Sequence, residues 1–287
     1  MITDLEIESL HDVYLQNSNS LKVYNPIQIN KKNKDQKLTL KEALTKLFTR
    51  LKSLLSPNSN HSYELECRLG KIQSNKFVPG VSKDYWTQLL SKFHSYDGWV
   101  KIIPRHEVYD HYYSHGNNKN IRTRVSASYT RESHEENDQM DCITTQLVVE
   151  NCKKCTIESV TIQHDHIDSR SPYDIKLSLS QESKLSEEQL PAVVHFFNCV
   201  RLKQREIFEY RPEGFDFPIW NFEFSLVWTG KTLQEAEKKR EKTAPIYEIE
   251  CELLNPTYYL TQMKENLDDM AIAFIVRIYD ILGIKNE

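Results

Sequence analysis

Charged and apolar residues alternate in the segment YELECRLGKI, which covers residues 63–72. Glu64, Glu66 and Arg68 occupy every second position, and apolar residues lie between them. Side chains two positions apart in a β-strand point to the same side. The segment therefore predicts a strand with one apolar face and one face made of two carboxylates and a guanidinium. Carboxylate oxygens bind hard divalent cations, and guanidinium groups bind phosphate.

The same alternation recurs in five later segments of the chain. Some of these segments carry bases in register, and YEIECELL carries three acids in register. Like charges at neighbouring positions of one face repel each other unless groups of opposite sign lie between them. The positions on these further faces are Arg122, Arg124 and Ser126; Asp174, Lys176, Ser178 and Ser180; Arg201, Lys203 and Arg205; Asn221, Glu223 and Ser225; and Glu248, Glu250 and Glu252.

A sheet that closes on itself with its charged face inside would bring these acids and bases together. A closed barrel has no exposed edges and can hold a polar lumen. We therefore predict an α+β fold in which antiparallel strands form a closed barrel and helices cover its apolar outer face. In such a lumen the basic strands would hold phosphates, and the acidic strands would hold a divalent cation.

Helical spacing marks several segments outside the charged strands. TLKEALTKLFTRLKSLL begins with a capping box formed by Thr39 and Glu42. SKDYWTQLLSKF predicts a second helix, and SEEQLPAVVHFF predicts a weaker one because Pro191 lies in its first turns. TLQEAEKKREKTAP predicts a solvated helix, and TYYLTQMKENLDDMAIAFIVRIYDIL predicts one long C-terminal helix.

Composition limits the class of protein. The chain has 287 residues, of which 39% are hydrophobic and 27% charged, so it can bury a full core. The net charge of −4 argues against broad binding of nucleic acid, which needs a basic surface. No run of 18 apolar residues occurs, so no membrane span is predicted. Six cysteines without an export signal indicate reduced thiols in the nucleus or cytosol, and residues 1–36 are predicted to be peripheral.

The segment NCKKC offers a different kind of site. Cys152 and Cys155, followed by His164 and His166, have a spacing that zinc sites use. No second C-x-x-C pair supports such a site, and the two histidines would share one strand face. We therefore interpret NCKK as the turn of a β-hairpin between TTQLVV and TIESVTI.

The ordered set of acidic, basic and acidic strands resembles the metal-dependent RNA 5′-triphosphatases, the mRNA-capping enzymes of fungi, protozoa and some large DNA viruses. The matching motifs are E-x-E from Glu64, R-x-K-x-R from Arg201 and E-x-E-x-E from Glu248, and SPYDIKLSLSQE is also similar. These enzymes belong to the triphosphate tunnel metalloenzyme superfamily. The resemblance implies that residues 37–287 form a closed eight-stranded antiparallel β-barrel, the triphosphate tunnel, with helices packed outside.

The resemblance also implies a role for each matching residue. Glu64, Glu66 and Glu252 would bind the metal ion, Mg²⁺ or Mn²⁺. Glu223, Glu248 and Glu250 would hold the metal's water molecules and the attacking water, and Glu223 and Ser225 stand where the family commonly has Asp and Thr. The residues that would contact the phosphates of the substrate, most of them also counted as catalytic, are Arg68, Arg122, Arg124, Lys176, Ser178, Arg201, Lys203, Arg205 and Ser225.

The implied reaction is removal of the γ-phosphate of 5′-triphosphate RNA by in-line attack of water, and the same site would hydrolyse NTPs with manganese or cobalt. An RNA guanylyltransferase is the implied partner, and the implied location is the nucleus, or a viral factory or virion for a viral chain. Monomer and homodimer both stay open.

Two alternative functions remain. Another tunnel enzyme would cleave polyphosphate or thiamine triphosphate or form cyclic AMP, and such enzymes typically have Lys at the position of Arg68. A non-catalytic phosphate-binding module would be expected to lack one of the metal carboxylates.

Overall fold

The structure is a computed structural model of the chain. The predicted peripheral segment 1–36 and the weak helix predicted in SEEQLPAVVHFF both lie outside the residues that it describes. The described residues are 39–55, 62–114, 121–132, 142–164, 167, 171–184, 199–263 and 266–283.

Each of the six charged segments lies on a β-strand. Alternation of polar and apolar residues therefore predicted the local conformation correctly along these segments. The strands within the described residues are β1 (Ser62–Gln73), β2 (Lys76–Pro79), β3 (Lys101–Ser114), β4 (Ile121–Glu132), β5 (Cys142–Ile162), β6 (Asp174–Lys184), β7 (Cys199–Tyr210), β8 (Trp220–Gly230) and β9 (Ile246–Leu253).

These strands form one antiparallel sheet that closes into a barrel. Neighbours follow the order β2-β1-β6-β5-β4-β3-β7-β8-β9, and β1 also pairs with β9. This last pairing sets Glu66 opposite Glu252 and Arg68 opposite Glu250. Among the described strands, eight form the closed ring and β2 is a short addition to β1. The predicted closed eight-stranded barrel is therefore confirmed.

Helices cover the outside of the barrel. The predicted capping box is present, because the Thr39 hydroxyl accepts from the Glu42 amide and the Glu42 carboxylate accepts from the Thr39 amide. None of the helices within the described residues has the length and apolar character that crossing a membrane requires. The helices within the described residues are α1 (Leu40–Leu54), α2 (Lys83–Ser95), α3 (Leu233–Lys242), α4 (Pro256–Gln262) and α5 (Leu267–Ile281).

The main hydrophobic core lies between the outer face of the barrel and the helices α1, α2, α4 and α5. Leu65 on β1, Phe222 on β8 and Phe274 on α5 are fully buried there. The ring of Trp220 lies 4.9 Å from that of Phe274, centroid to centroid. Burying one such side chain contributes about 1.5–3 kcal/mol. With the apolar face fixed against the helices, the alternate residues of each strand must point into the lumen. The mixed-charge helix α3 lies outside this main core. Ala236 is its buried residue, as predicted for a solvated helix.

The predicted hairpin at NCKK is wrong. β5 runs as one 21-residue strand through this segment. Asn151 to Lys154 stay in register with β4, from Val125 to Arg122. The segment contains neither Gly nor Pro, the residues that most strongly favour a turn.

The alternative zinc site is not supported within the described residues. Cys152 and Cys155 are three positions apart on one strand, so their side chains point to opposite faces. The His164 ring instead hydrogen-bonds the carboxylate of Asp174, and His166 lies outside the described residues.

The single long C-terminal helix is also corrected by the structure. The segment forms two helices, α4 and α5, and Asn266 is the N-cap of the second. Its side-chain oxygen accepts a hydrogen bond from the Asp269 amide. Asn is favoured at this position because its side chain satisfies an amide that the first helical turn leaves without a partner.

Leu202 provides a test of this inside-outside arrangement. Its side chain is fully buried on the outer face of β7, against Tyr109 and Trp228, whereas the next residue, Lys203, faces the lumen. We expect Leu202→Ala to lower the free energy of unfolding by about 2–5 kcal/mol, because a cavity remains in a packed core. Urea denaturation measures the change. The matched control Leu202→Met conserves volume and should cost less than about 1.5 kcal/mol. Equal stability of the alanine variant and the wild type would contradict the packing.

Candidate functional site

The lumen is lined by every second residue of the barrel strands. Because the strands are paired in register, these residues form rows that cross several strands. Each charged side chain therefore lies beside side chains of the neighbouring strands as well as those of its own strand. Two successive rows across β6, β1, β9 and β8 read Ser178, Glu66, Glu252, Asn221 and Lys176, Arg68, Glu250, Glu223.

Glu64, Glu66 and Glu252 form what we call the acidic cluster. Glu66 lies opposite Glu252 where β1 meets β9, and Glu64 is the next inward residue of β1. Lys154 of β5 reaches this cluster and donates hydrogen bonds to Glu64 and Glu66, with its Nζ 3.4 Å from Glu66 Oε2. The same Nζ lies 3.7 Å from Glu182 Oε1. A buried ammonium thus neutralises part of the negative charge.

With all three carboxylates ionised, the acidic cluster would carry more negative charge than Lys154 can balance. Burial raises the pKa of Glu64 well above its usual range, and the charges of Glu66 and Glu252 raise it further. Burial likewise raises the pKa of Glu252, to about 8, although Lys154 opposes the shift. Like-charged carboxylates that share a buried site favour any added cation.

The acidic cluster fits Mg²⁺ or Mn²⁺ in donor type and charge. Its members are hard oxygen ligands, and the excess negative charge is what a divalent cation would neutralise. Within the described part of the chain, no three His, Cys, Asp or Glu side chains already converge on one point. Lys154 contacts both Glu64 and Glu66, so its ammonium group takes the position of the counter-ion in this arrangement.

Basic side chains of the lumen are paired with acids. Arg201 places its Nη2 2.6 Å from both carboxylate oxygens of Glu248. Arg68 Nη2 lies 3.0 Å from Glu66 Oε2, and Arg68 Nε lies 3.3 Å from Glu250 Oε1. Burial by itself would raise the pKa of Glu248, but the Arg201 charge outweighs it and lowers that pKa. The pKa of Glu250 is instead raised, because burial outweighs its contact with Arg68.

A second group of charges lies around Glu223. Lys203 Nζ lies 3.2 Å from Glu223 Oε1, and Arg205 Nη1 lies 3.7 Å from Glu223 Oε2. The Ser225 hydroxyl donates to Glu223 Oε1 at 2.5 Å. Burial would raise the pKa of Glu223, but the two cations and this hydrogen bond outweigh it and lower the pKa to about 2. Glu223 is therefore ionised at neutral pH.

Most of the predicted site residues share this lumen, although their roles remain predictions. Arg122 pairs through its backbone with Lys154 of β5, but its side chain lies outside what the structure describes. The predicted residues whose positions on the strands place them on the lumen face are Glu64, Glu66, Arg68, Arg124, Lys176, Ser178, Arg201, Lys203, Arg205, Glu223, Ser225, Glu248, Glu250 and Glu252.

Sequence reasoning missed three charged residues of the lumen. Lys154 was assigned to a turn that does not exist. Glu182 continues the alternation of Ser178 and Ser180 by one more inward position, so extending β6 would have found it. Asp110 of β3 is fully buried. Its Oδ1 accepts a hydrogen bond of 2.6 Å from the Ser126 hydroxyl of β4, and its Oδ2 lies 3.5 Å from Lys203 Nζ of β7. Its surroundings in the sequence, HEVYDHYYS, show no clear alternation of charge.

The lowered pKa of Glu223 predicts a dependence of stability on pH. An unfolded Glu titrates near pH 4.3, so ionised Glu223 stabilises the fold above that pH, and this contribution is lost as the pH falls towards about 2. We expect the urea midpoint of the wild type to fall between about pH 5 and pH 2 more steeply than that of Glu223→Gln. Glu241→Gln, on the exposed surface of α3, serves as the control and should follow the wild type. Parallel curves for Glu223→Gln and the wild type would contradict the assignment.

Comparison with known proteins confirms the fold. No protein-family model and no curated protein sequence matches the chain. Among solved structures, the RNA triphosphatase of S. pombe superposes with a TM-score of 0.54 at 13% identity, over 90% of this chain and 100% of that one. The mimivirus capping enzyme triphosphatase gives a TM-score of 0.43 at 14% identity, over 80% of this chain and 96% of that one. The superposition on the S. pombe enzyme, together with the closed ring of eight strands, confirms the tunnel fold that the family resemblance implied.

Proposed function

We propose that this protein is a metal-dependent RNA 5′-triphosphatase, which removes the γ-phosphate of 5′-triphosphate RNA as the first step of mRNA capping. The observation that carries the proposal is a closed lumen in which an acidic cluster and a set of basic side chains face each other. A triphosphate with its divalent cation has the matching distribution of charge. The likeness of the fold to the S. pombe RNA triphosphatase supports the same choice.

In this proposal Glu64, Glu66 and Glu252 hold the metal ion, Mg²⁺ or Mn²⁺. The ion supplies neutralisation of the charge on the γ-phosphate oxygens. Lys154 contacts Glu64 and Glu66, so a metal ion bound there would share these carboxylates with the ammonium group or displace it. A released ammonium group would then be free to contact the phosphates.

Basic residues from several strands bind and orient the triphosphate. Arg201, Lys203 and Arg205 follow one another along the inner face of β7, and Arg124 of β4 and Lys176 of β6 add cations from other parts of the ring. Donors fixed in advance around the phosphate stabilise the oxygens that gain charge in the transition state, which is usually the largest catalytic contribution. Since Lys203 and Arg205 are held by Glu223, they reach the substrate with little loss of side-chain entropy.

We assign Glu250 as the proton acceptor for the attacking water. A general base works best when its pKa lies close to the working pH. Burial raises the pKa of Glu250, whereas cations lower those of Glu248 and Glu223. Glu248 is also held by both of its oxygens in the ion pair with Arg201. Glu248 and Glu223 would therefore orient the site, and Glu250 would take the proton.

A covalent cysteine mechanism does not fit this lumen. Cys67 and Cys251 lie opposite each other on β1 and β9, but both belong to the core on the outer face of the barrel. Burial raises the pKa of both thiols well above the usual range, so they stay protonated at neutral pH. Thiolate is the nucleophilic form of cysteine.

We further propose that the diphosphate-ended product passes to an RNA guanylyltransferase, in the nucleus or, for a viral chain, in the viral factory or virion. The decisive test of the function is release of labelled γ-phosphate from triphosphate-ended RNA, with and without Mg²⁺. Release that needs the metal supports the proposal. No release with either Mg²⁺ or Mn²⁺ would contradict it.

Glu64→Ala tests the assignment of the metal carboxylates. Loss of one of three anionic oxygen ligands should cost several kcal/mol of metal binding or transition-state stabilisation, which lowers phosphate release by about 100-fold or more. Glu241→Ala, on the exposed surface of α3, is the matched control and should keep wild-type activity. Circular dichroism of both variants reports the fold. A folded Glu64→Ala protein that stays active at saturating metal would refute the assignment.

Free nucleotides test how the substrate is recognised. The lumen offers charged groups for the phosphates and few aromatic side chains on which a base could stack. We therefore expect ATP, GTP, CTP and UTP to release phosphate at similar rates, with Mn²⁺ or Co²⁺ more effective than Mg²⁺. A malachite green assay measures the product. Cleavage of one nucleotide alone would reveal a base-binding pocket, and formation of pyrophosphate with a cyclic nucleotide would assign the protein to the cyclase class of tunnel enzymes.

A further inference from the structure

Two buried oxygen atoms lie on the lumen face beside the acidic cluster. They are the Oγ of Ser180 on β6 and the Oδ1 of Asn221 on β8. Neither has a hydrogen-bond partner among the residues that the structure describes. Ser180 is only 1% exposed. Buried polar atoms in folded proteins nearly always have a hydrogen-bond partner. We therefore expect a bound group that donates hydrogen bonds to these two oxygens.

The register of the sheet places both atoms beside the acidic cluster. Ser180 lies directly opposite Glu64 in the pairing of β6 with β1. Asn221 lies directly opposite Glu252 in the pairing of β8 with β9. Directly opposed side chains in an antiparallel pair have Cβ atoms about 4.5–5.5 Å apart. Two neutral oxygens thus bracket the three carboxylates, one on each side.

The charges around the two positions explain why neutral groups suit them. Lys154 already contributes a positive charge to the acidic cluster, and Glu182 lies within reach of that lysine. A further carboxylate at Ser180 or Asn221 would lie directly opposite Glu64 or Glu252 and would add like-charge repulsion to the acidic cluster. A hydroxyl or amide oxygen accepts hydrogen bonds without adding charge.

We propose that Ser180 and Asn221 position the water molecules that the metal ion keeps when the acidic cluster binds it. This inference rests on the proposed function, since it needs a metal at Glu64, Glu66 and Glu252. Mg²⁺ releases its water reluctantly, so an ion held by a few carboxylates retains several waters. Those waters are hydrogen-bond donors, and outer groups that accept from them fix the orientation of the ligands. Ser180 and Asn221 are positioning residues in this proposal, and they extend the site by one strand on each side.

The experiment measures the affinity of the full chain for Mn²⁺ by electron paramagnetic resonance of the free ion, without RNA or nucleotide. Ser180→Ala and Asn221→Leu remove the two acceptors, and each should weaken Mn²⁺ binding about tenfold or more. Ser180→Thr retains the hydroxyl and should restore most of the affinity. Thr229→Val is the matched control, because Thr229 lies on the same face of β8 but opposite Arg201, and its affinity should equal that of the wild type.

Thermal unfolding with and without Mn²⁺ separates this role from a structural one. Without metal, Ser180→Ala should be at least as stable as the wild type, since removing a buried hydroxyl that lacks a partner is close to neutral. With Mn²⁺, the wild type should gain more in melting temperature than either variant. If Asn221→Leu does not fold, Asn221→Ala replaces it, because a smaller side chain cannot clash.

The outcomes distinguish the inference from the proposed function. A wild type that does not bind Mn²⁺ would overturn both the metal site and the inference. A wild type that binds Mn²⁺ with the same affinity as Ser180→Ala and Asn221→Leu would overturn the inference alone. Equal weakening by Thr229→Val would show a general effect of changing the lumen, and would also overturn it.

Discussion

The fold depends on interleaving opposite charges inside a closed sheet. Three acids in register on β9 and three bases in register on β7 would each repel along their own strand. Barrel closure sets them among partners from other strands, so that Arg68 lies between Glu66 and Glu250, and Arg201 holds Glu248. The repulsion of like charges along each strand is offset by the opposite charges of the other strands. In the proposed function, binding of an anionic substrate is an exchange of partners among charged groups that are already in place.

Most of the stability of the protein does not come from the lumen. Burying ion pairs costs desolvation energy that their attraction repays only when the geometry is good, and well-packed apolar residues often serve stability better. The favourable free energy comes from the opposite face of the same strands, where Leu65, Phe222 and their neighbours pack against α1 and α5. Strand alternation therefore divides the two tasks between alternate residues, stability outside and chemistry inside. Changes at inward and outward positions should have separable effects on the protein.

How much of the fold and the site can be predicted from the sequence depends on how far apart the interacting residues lie along the chain. Alternation is a local property, so it predicted the six charged strands and the inward side of residues such as Glu223 and Lys203. Pairing between distant strands is not local, and the contacts of Arg201 with Glu248 could not be assigned from spacing. Lys154 was missed because a 21-residue strand is unusually long, and polar residues at its middle resemble a turn. Asp110 was missed because aromatic and histidine neighbours on β3 obscure the period of two.

The pairing of β1 with β9 has a consequence for how the protein is made. The two halves of the acidic cluster come from opposite ends of the described chain, with Glu66 on the first strand and Glu252 on the last. Contacts so far apart in sequence form slowly, and the ribosome delivers the N-terminal strands first. Until residue 252 has left the ribosome, β1 lacks a partner on one edge and the nascent chain has only part of its acidic cluster. Under the proposed function, a prematurely terminated chain would therefore be inert towards triphosphates rather than partly active, and its unpaired edge would be a target for chaperones.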